Sequence, residues 1–410
     1  MTRLRVPCVV LFAAWMLPAI ALAGSTATDA VTAAPAWHWP TRPITSRAQL
    51  DAYLHDTPTA ASPLSVFTQV GLRRFLASLA FNDKRLVTFS TDDLRYDLTR
   101  EQAWDVLRLF GKESYAIGLG ARTRERPGKT PERHALEGAY DRLAKALQVD
   151  PGGTSLASIY AEDFAPAQAR LASLDDRDLE LLFRATGILA STHPQSTAYL
   201  AALERDFALL ERREQVDRPY AETLHGALLI AHRPDEARAL VASHAGLDLQ
   251  PPPTMRSAAR IRTGRPSVWI VGGAHELWRL PLMLHDTVQI VIFGSPNCRY
   301  SQNAARDIEA DPALRRLFRA HAQWVAPARN IVDFGTMQSW NRDHPAQKLA
   351  ILQDDDELPY VASMRTPVFY ILRRGQLAAT LEGWPGPDQR DALRRHLVAV
   401  GLLPPPQEAR

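Results

Sequence analysis

Residues 288–301, VQIVIFGSPNCRYS, decide how the rest of the chain is read. Val288, Ile290, Val291, Ile292 and Phe293 make a short, mostly β-branched apolar run of strand length, and Gly294, Ser295 and Pro296 stop it. From about Asn297 the spacing turns helical, with Ala305, Ile308, Leu314, Leu317 and Phe318 falling on one apolar side. Cys298 therefore sits where a buried strand hands over to the first turn of a helix. Free backbone N–H groups and the positive end of the helix dipole favour a thiolate there.

Downstream, Thr366 and Pro367 open the run TPVFYILRRGQLAATLEGWPG. Residues 368–372 and 377–381 read as two strands around a turn at Arg373, Arg374 and Gly375. Gly383, Trp384 and a helix over about 387–400 follow. This order, strand, cysteine at a helix start, Thr-Pro, hairpin and terminal helix, resembles the thioredoxin fold. Pro296, Cys298 and Tyr300 resemble one branch of it, the periplasmic disulfide isomerases of the DsbC/DsbG type, which carry Cys-x-Tyr-Cys with a proline two residues before. The resemblance covers roughly residues 266–403. It implies that Pro367 is a cis-proline facing the active cysteine, that Thr366, Pro367 and Tyr300 bind substrate, and that a helix around 334–342 is an insertion beside the site. The fourth motif position departs from the pattern, because it is Ser301.

The ends and composition suggest a compartment. Arg3 and Arg5 precede an apolar run over 6–22, and Ala21-Leu22-Ala23 precedes Gly24, the order of a secretory signal over 1–23. An uncleaved anchor is the alternative, and the run is marginal for spanning a bilayer. The expected location is periplasmic or secreted, with no stable membrane association after cleavage. Removing the signal removes Cys8, so the mature chain keeps one thiol and no internal disulfide is open to it. A formal charge of +3 over 410 residues gives no argument for nucleic acid. The 12 histidines show no ligand spacing and no Gly-x-Ser-x-Gly elbow occurs, so neither a metal, a cofactor nor a serine nucleophile is expected.

The expected fold is an α+β two-part chain, an all-α helical N-terminal domain over 48–250 followed by a thioredoxin-like α/β domain over 266–403. Residues 24–47, rich in Ala, Thr, Ser and Pro, read as a flexible leader. A helix is expected from Ser62 and Pro63, and another from Thr99, whose spacing to Gln102 is a capping box, ending at Gly111. Residues 122–133 read as a solvated basic loop, Thr130-Pro131 as the start of a helix to 147, and Asp150-Pro151-Gly152-Gly153 as a break that subdivides the helical part. Residues 174–244 read as helix pairs. Similar turns at His193-Pro194 and His232-Arg233-Pro234 hint at repeats, but two units fall short of the roughly three that repeats need. After the stiff Gln250-Pro-Pro-Pro253 connection, 267–271 and 276–280 read as an extra hairpin or the first strand of the second domain, 322–325 as a further strand, and 354–357 as a solvated acidic turn.

The chemistry expected of this chain belongs to Cys298, with Arg299 and the Ser301 hydroxyl tuning the sulfur. A serine cannot resolve a mixed disulfide as a second cysteine does, so the adduct waits for another thiol. Partners would be cysteine-containing exported proteins or a thiol reductant; the oligomeric state stays open. Two readings follow: a monothiol enzyme of disulfide exchange or client capture, and a non-catalytic interaction or chaperone-like module that retains the fold.

Overall fold

The computed structural model describes residues 37–125, 134–149, 154–258, 261–262, 264–273, 275–284, 287–358, 360–361, 366–384 and 386–405. In chain order its strands are β1 (Ala80–Phe81), β2 (Leu86–Thr88), β3 (Thr254–Ser257), β4 (Ser267–Val271), β5 (Glu276–Pro281), β6 (Val288–Phe293), β7 (Ala322–Ala326), β8 (Leu349–Leu352), β9 (Val368–Arg373) and β10 (Gln376–Glu382). The last eight form one mixed sheet in the order β10-β9-β6-β7-β8-β4-β5-β3. β6 lies inside it, parallel to β7 and antiparallel to β9.

The apolar run was legible because β6 is covered on both faces. Ile290 and Ile292 join a cluster with Ile308, Leu314, Phe318 and Trp324, while Val291 and Phe293 join Val325, Leu352, Val368 and Tyr370 on the other face. A strand buried on both sides loses the polar alternation of a half-exposed one. Helices Arg299–Ala310 and Pro312–His321 follow β6, Phe334–Asp343 lies between β7 and β8, and Pro387–Ala399 follows β10. β4 and β5 form the antiparallel hairpin read from sequence, and it extends the sheet beyond β8. β3, which the sequence did not announce, adds in parallel to β5.

The helical region is built on Asp176–Thr192, Thr197–Arg212, Arg218–Ile230 and Pro234–Ser243. Their apolar stripes share a continuous buried cluster with the sheet, Phe183, Leu203 and Tyr220 belonging to the same cluster as Ile290 and Trp324. The described residues from His38 onward fall in one compact unit, without a separation between helical and sheet regions.

Several expectations change. The helical part is not purely α, because β1 and β2 pair antiparallel within it. Ser62 caps only a short 3-10 turn, Pro63–Val66, and the longer helix Gln69–Ser78 starts at Thr68, whose hydroxyl accepts from Gly71 N–H. The Thr99 capping box is present as read, and Gly111, at φ +61°, follows the end of its helix. The expected leader is packed from His38: Ile44 is buried and its N–H bonds Leu109 O. Arg122 is not a solvated loop residue. It is buried and donates to Tyr96 O and Tyr220 Oη. Residues 126–133, and with them the expected helix start at Thr130, lie outside the described residues, as do 1–36 and the break at 150–153. The acidic turn is also tied in: Asp355 accepts from Ala328 N–H at 2.8 Å and Glu357 from Ser267 N–H at 2.7 Å.

Charges buried between helices hold this region together. Arg74 lies 2.7 Å from Asp93, and Arg177 lies 2.8 Å from Glu137 and 3.2 Å from Asp97. Arg184 is fully buried against Asp97 with its guanidinium 4.5 Å from the Tyr96 ring. Each guanidinium sits among carboxylates, as burial demands. Replacing Arg184 with methionine keeps bulk but strands those acids, and is expected to lower the unfolding free energy by about 3–5 kcal/mol, read by denaturant titration.

Asp206 is different, being fully buried without a cation in hydrogen-bond contact. Gln168 Nε2 lies 2.8 Å from each carboxyl oxygen, and Thr186 Oγ1 lies 2.9 Å from Oδ2 and from Leu182 O. A neutral Asp206 completes this network, donating to the Thr186 oxygen while Thr186 donates to Leu182. Burial pushes the Asp206 carboxyl up to about 7, against smaller lowering by Gln168 and Thr186. Because the folded form holds this proton more tightly than the unfolded chain, Asp206 favours folding below its unfolded value near 4 and works against it increasingly as pH rises through about 7. Asp206→Asn should flatten the stability loss between pH 4 and 7, a difference on the order of 3 kcal/mol measured by denaturation at the two ends of the window.

Candidate active site

Register places the site. Phe293 pairs with Val368 across β6 and β9, so Gly294 leaves the sheet opposite Pro367. Gly294 N–H is held by Val325 O at 2.8 Å. A Cβ there would meet the buried Trp324 ring at 3.0 and 3.2 Å, so glycine is what lets the chain pass over the indole. Trp324 cannot retreat easily: its Nε1–H bonds Gln347 at 2.7 Å, and the Trp340 and Phe369 rings pack on it.

Beyond Gly294 the chain makes one turn, with Cys298 N–H bonded to Ser295 O at 3.1 Å, and enters helix Arg299–Ala310 with Cys298 at its N-cap. The cysteine is half-buried, a free thiol. The Thr366–Pro367 peptide bond is cis. Cys298 Sγ lies 3.1 Å from Thr366 O and donates to it. The structure therefore brings together Cys298, Thr366 and Pro367, residues 68 positions apart in the chain. Gly383 N–H, from the end of β10, bonds Pro367 O at 2.8 Å and steadies the segment from the other side.

The remaining expected site residues separate. Ser301 is fully buried, and its hydroxyl accepts from Ser295 N–H at 3.2 Å, so the contact it makes holds the loop rather than the sulfur. Arg299 is exposed on the first turn, and Tyr300 beside it keeps half of its surface open to solvent. Gln302 closes the turn by donating to Pro296 O at 2.8 Å.

Sequence reasoning missed the neighbour of this loop. The 3-10 segment Ala328–Asp333 runs beside it, and Asp333 Oδ2 lies 3.4 Å from Asn297 Nδ2 and 3.5 Å from Asn330 Nδ2. Burial raises the Asp333 carboxyl above the ordinary range, with Arg329 opposing. Nothing in the local pattern marks Asp333, because its place follows from how β7 and the helix after it pack.

A metal has one set of close donors among the described residues, His134, Asp175 and Asp178, far from the sulfur in sequence. These groups already serve structure: Asp175 caps helix Asp176–Thr192 and contacts His134, and Asp178 accepts from Leu136 N–H. The helix N-terminus they occupy favours anions over cations.

No family model matches the chain, and no curated protein does. A solved structure similar to it is a thioredoxin-like protein from Bacteroides caccae ATCC 43185. The identity is 10% and the TM-score 0.23, over 68% of this chain and 98% of that one, too distant to carry an argument. The C-terminal region itself runs as β6, a cysteine at a helix N-cap, β7, the Thr366–Pro367 segment, and the β9–β10 hairpin with its closing helix.

The tightness at Gly294 can be tested. Gly294→Ala should lower stability by about 1–3 kcal/mol through the clash with Trp324, and Ser301→Ala by about 1 kcal/mol through the lost loop contact, both measured by thermal or denaturant unfolding.

Proposed function

We propose that this chain is an exported monothiol protein of thiol-disulfide exchange, acting through Cys298 on cysteine-containing proteins outside the cytoplasm. The observation that supports this most is the placement of Sγ: half-open at a helix N-cap, 3.1 Å from Thr366 O, next to cis-Pro367. A proline has no N–H, so the segment before β9 leaves Thr366 able to pair with an extended client strand.

The reaction is one exchange. The Cys298 thiolate, having released its proton and the Thr366 carbonyl, attacks one sulfur of a client disulfide. The Cys298–client S–S bond forms as the client S–S bond breaks, and the expelled client thiolate takes up a proton. Ser301 cannot complete a second displacement. Release requires a thiolate from the client itself, which gives isomerisation with no net redox change, or from an external thiol, which ends as the new disulfide partner of the client. The N-terminal apolar run ending in Ala21-Leu22-Ala23 supports export.

One observation favours the non-catalytic module instead. The S–H group is occupied as a donor to a carbonyl, an arrangement suited to a resting thiol.

The two readings part in one experiment. Wild-type protein mixed with a secreted protein of scrambled disulfides should form adducts that reducing agent dissolves, and Cys298→Ala should form none. Iodoacetamide should modify the folded chain at Cys298, read by peptide mass spectrometry. Absence of adducts with partner binding intact in Cys298→Ala would establish the module.

A further inference from the structure

The segment Ala328–Asp333 lies between the sulfur loop and the helical region, and each side holds it by a different contact. On one side Asp333 Oδ2 receives two amides, Asn297 from the residue preceding Cys298 and Asn330 from within the segment. On the other side helix Arg218–Ile230 packs on it so closely that a methyl group at Gly226 would come to 3.4 Å from Val332 Cγ1. Its start is fastened independently, Ala328 N–H to Asp355 Oδ1 at 2.8 Å. The acidic turn carrying Asp355 is in turn gripped by the helical region, through His232 Nε2 at 3.2 Å from Gln353 O and Gln195 on Asp354. The helical region thus touches the strap directly at Val332 and reaches its start through the acidic turn, while the strap's Asp333 contacts the loop bearing the thiol.

We infer that Asp333 is a positioning residue for the Cys298 loop, and that segment 328–333 is the strap through which the helical region fixes that loop. The inference deepens the proposed function, since it assigns the helical region a role at the same site. The physical reason is geometric. Within residues 295–297 the Ser295–Cys298 turn, the Ser301 contact and the Gln302 bond to Pro296 O hold the backbone at 295 and 296, while Asn297 is exposed and its side chain is held by Asp333. An acceptor fixed on a rigid neighbour restricts the loop where backbone bonding does not. In-line attack on a disulfide needs the sulfur aimed along the S–S axis, so loosening the loop costs rate without changing the nucleophile.

The test combines three substitutions with three readouts. Asp333→Ala removes the acceptor, Asp333→Asn keeps an acceptor oxygen without the charge, and Gly226→Leu crowds Val332 from the helical side. Hydrogen exchange of the peptide covering 295–299 is expected to quicken by about fivefold or more in Asp333→Ala and Gly226→Leu and to stay near wild type in Asp333→Asn. Exchange with a small peptide disulfide should slow in the same two variants by about five- to a hundredfold while iodoacetamide alkylation, which makes little demand on direction, changes by less than about twofold. Should Asp333→Ala fail to fold, Asn297→Ala removes the same contact from the exposed side. Loop exchange unchanged in Asp333→Ala, or equally raised in Asp333→Asn, overturns the inference. A wild-type chain inert toward the peptide disulfide overturns the proposed function alone, because the hydrogen-exchange arm still reports whether the strap holds the loop.

Discussion

Everything around the thiol depends on one strand paired along both edges. β6 is parallel to β7, antiparallel to β9, and Ile290 to Phe293 are wholly buried. Because both edges are committed, the strand cannot slip by one residue without turning every side chain to the wrong face. Its end is therefore fixed at Phe293, and the chain must leave through Gly294 over Trp324. The same register carries Val368 to the opposite position and Pro367 to the mouth of the loop. This pairing brings Cys298 and Thr366 within hydrogen-bond distance.

The helical region solves a separate problem. Its helices pack through apolar stripes and also meet across carboxylates and guanidiniums that share partners, Arg74 with Asp93, Arg177 with Glu137 and Arg184 with Asp97. Such pairs specify one arrangement strongly, since losing any member leaves an uncompensated charge in a dry interior. The region then joins the sheet through continuous apolar packing and through the strap at 328–333.

Much of this was written locally. Strand β6 was visible as an apolar run because burial on both faces removes alternation, the Thr99 capping box because its two hydrogen bonds need only residues three apart, and the four helices over 176–243 because their apolar spacing repeats each turn. Local spacing also misled. Ser62-Pro63 has the chemistry of a helix start and forms only a 3-10 turn, while Arg122 and Asp355 look like solvated surface and are packed. In each case the deciding partner lies far along the chain, Asp217 for Arg122 and Ala328 for Asp355.

The sequence by itself determined that a cysteine follows a buried strand at a helix start, that a Thr-Pro precedes a hairpin, and that the fourth motif position is a serine. Those are statements about neighbours in the chain, and propensity, periodicity and capping act over such distances. Only the tertiary structure decided that Ser301 braces Ser295 instead of the sulfur, that Trp324 lies beneath Gly294, and that Asp333 reaches Asn297. Those contacts depend on sheet order and on how the helices dock, which are set by the summed burial of the whole core and leave no mark in any short stretch of residues.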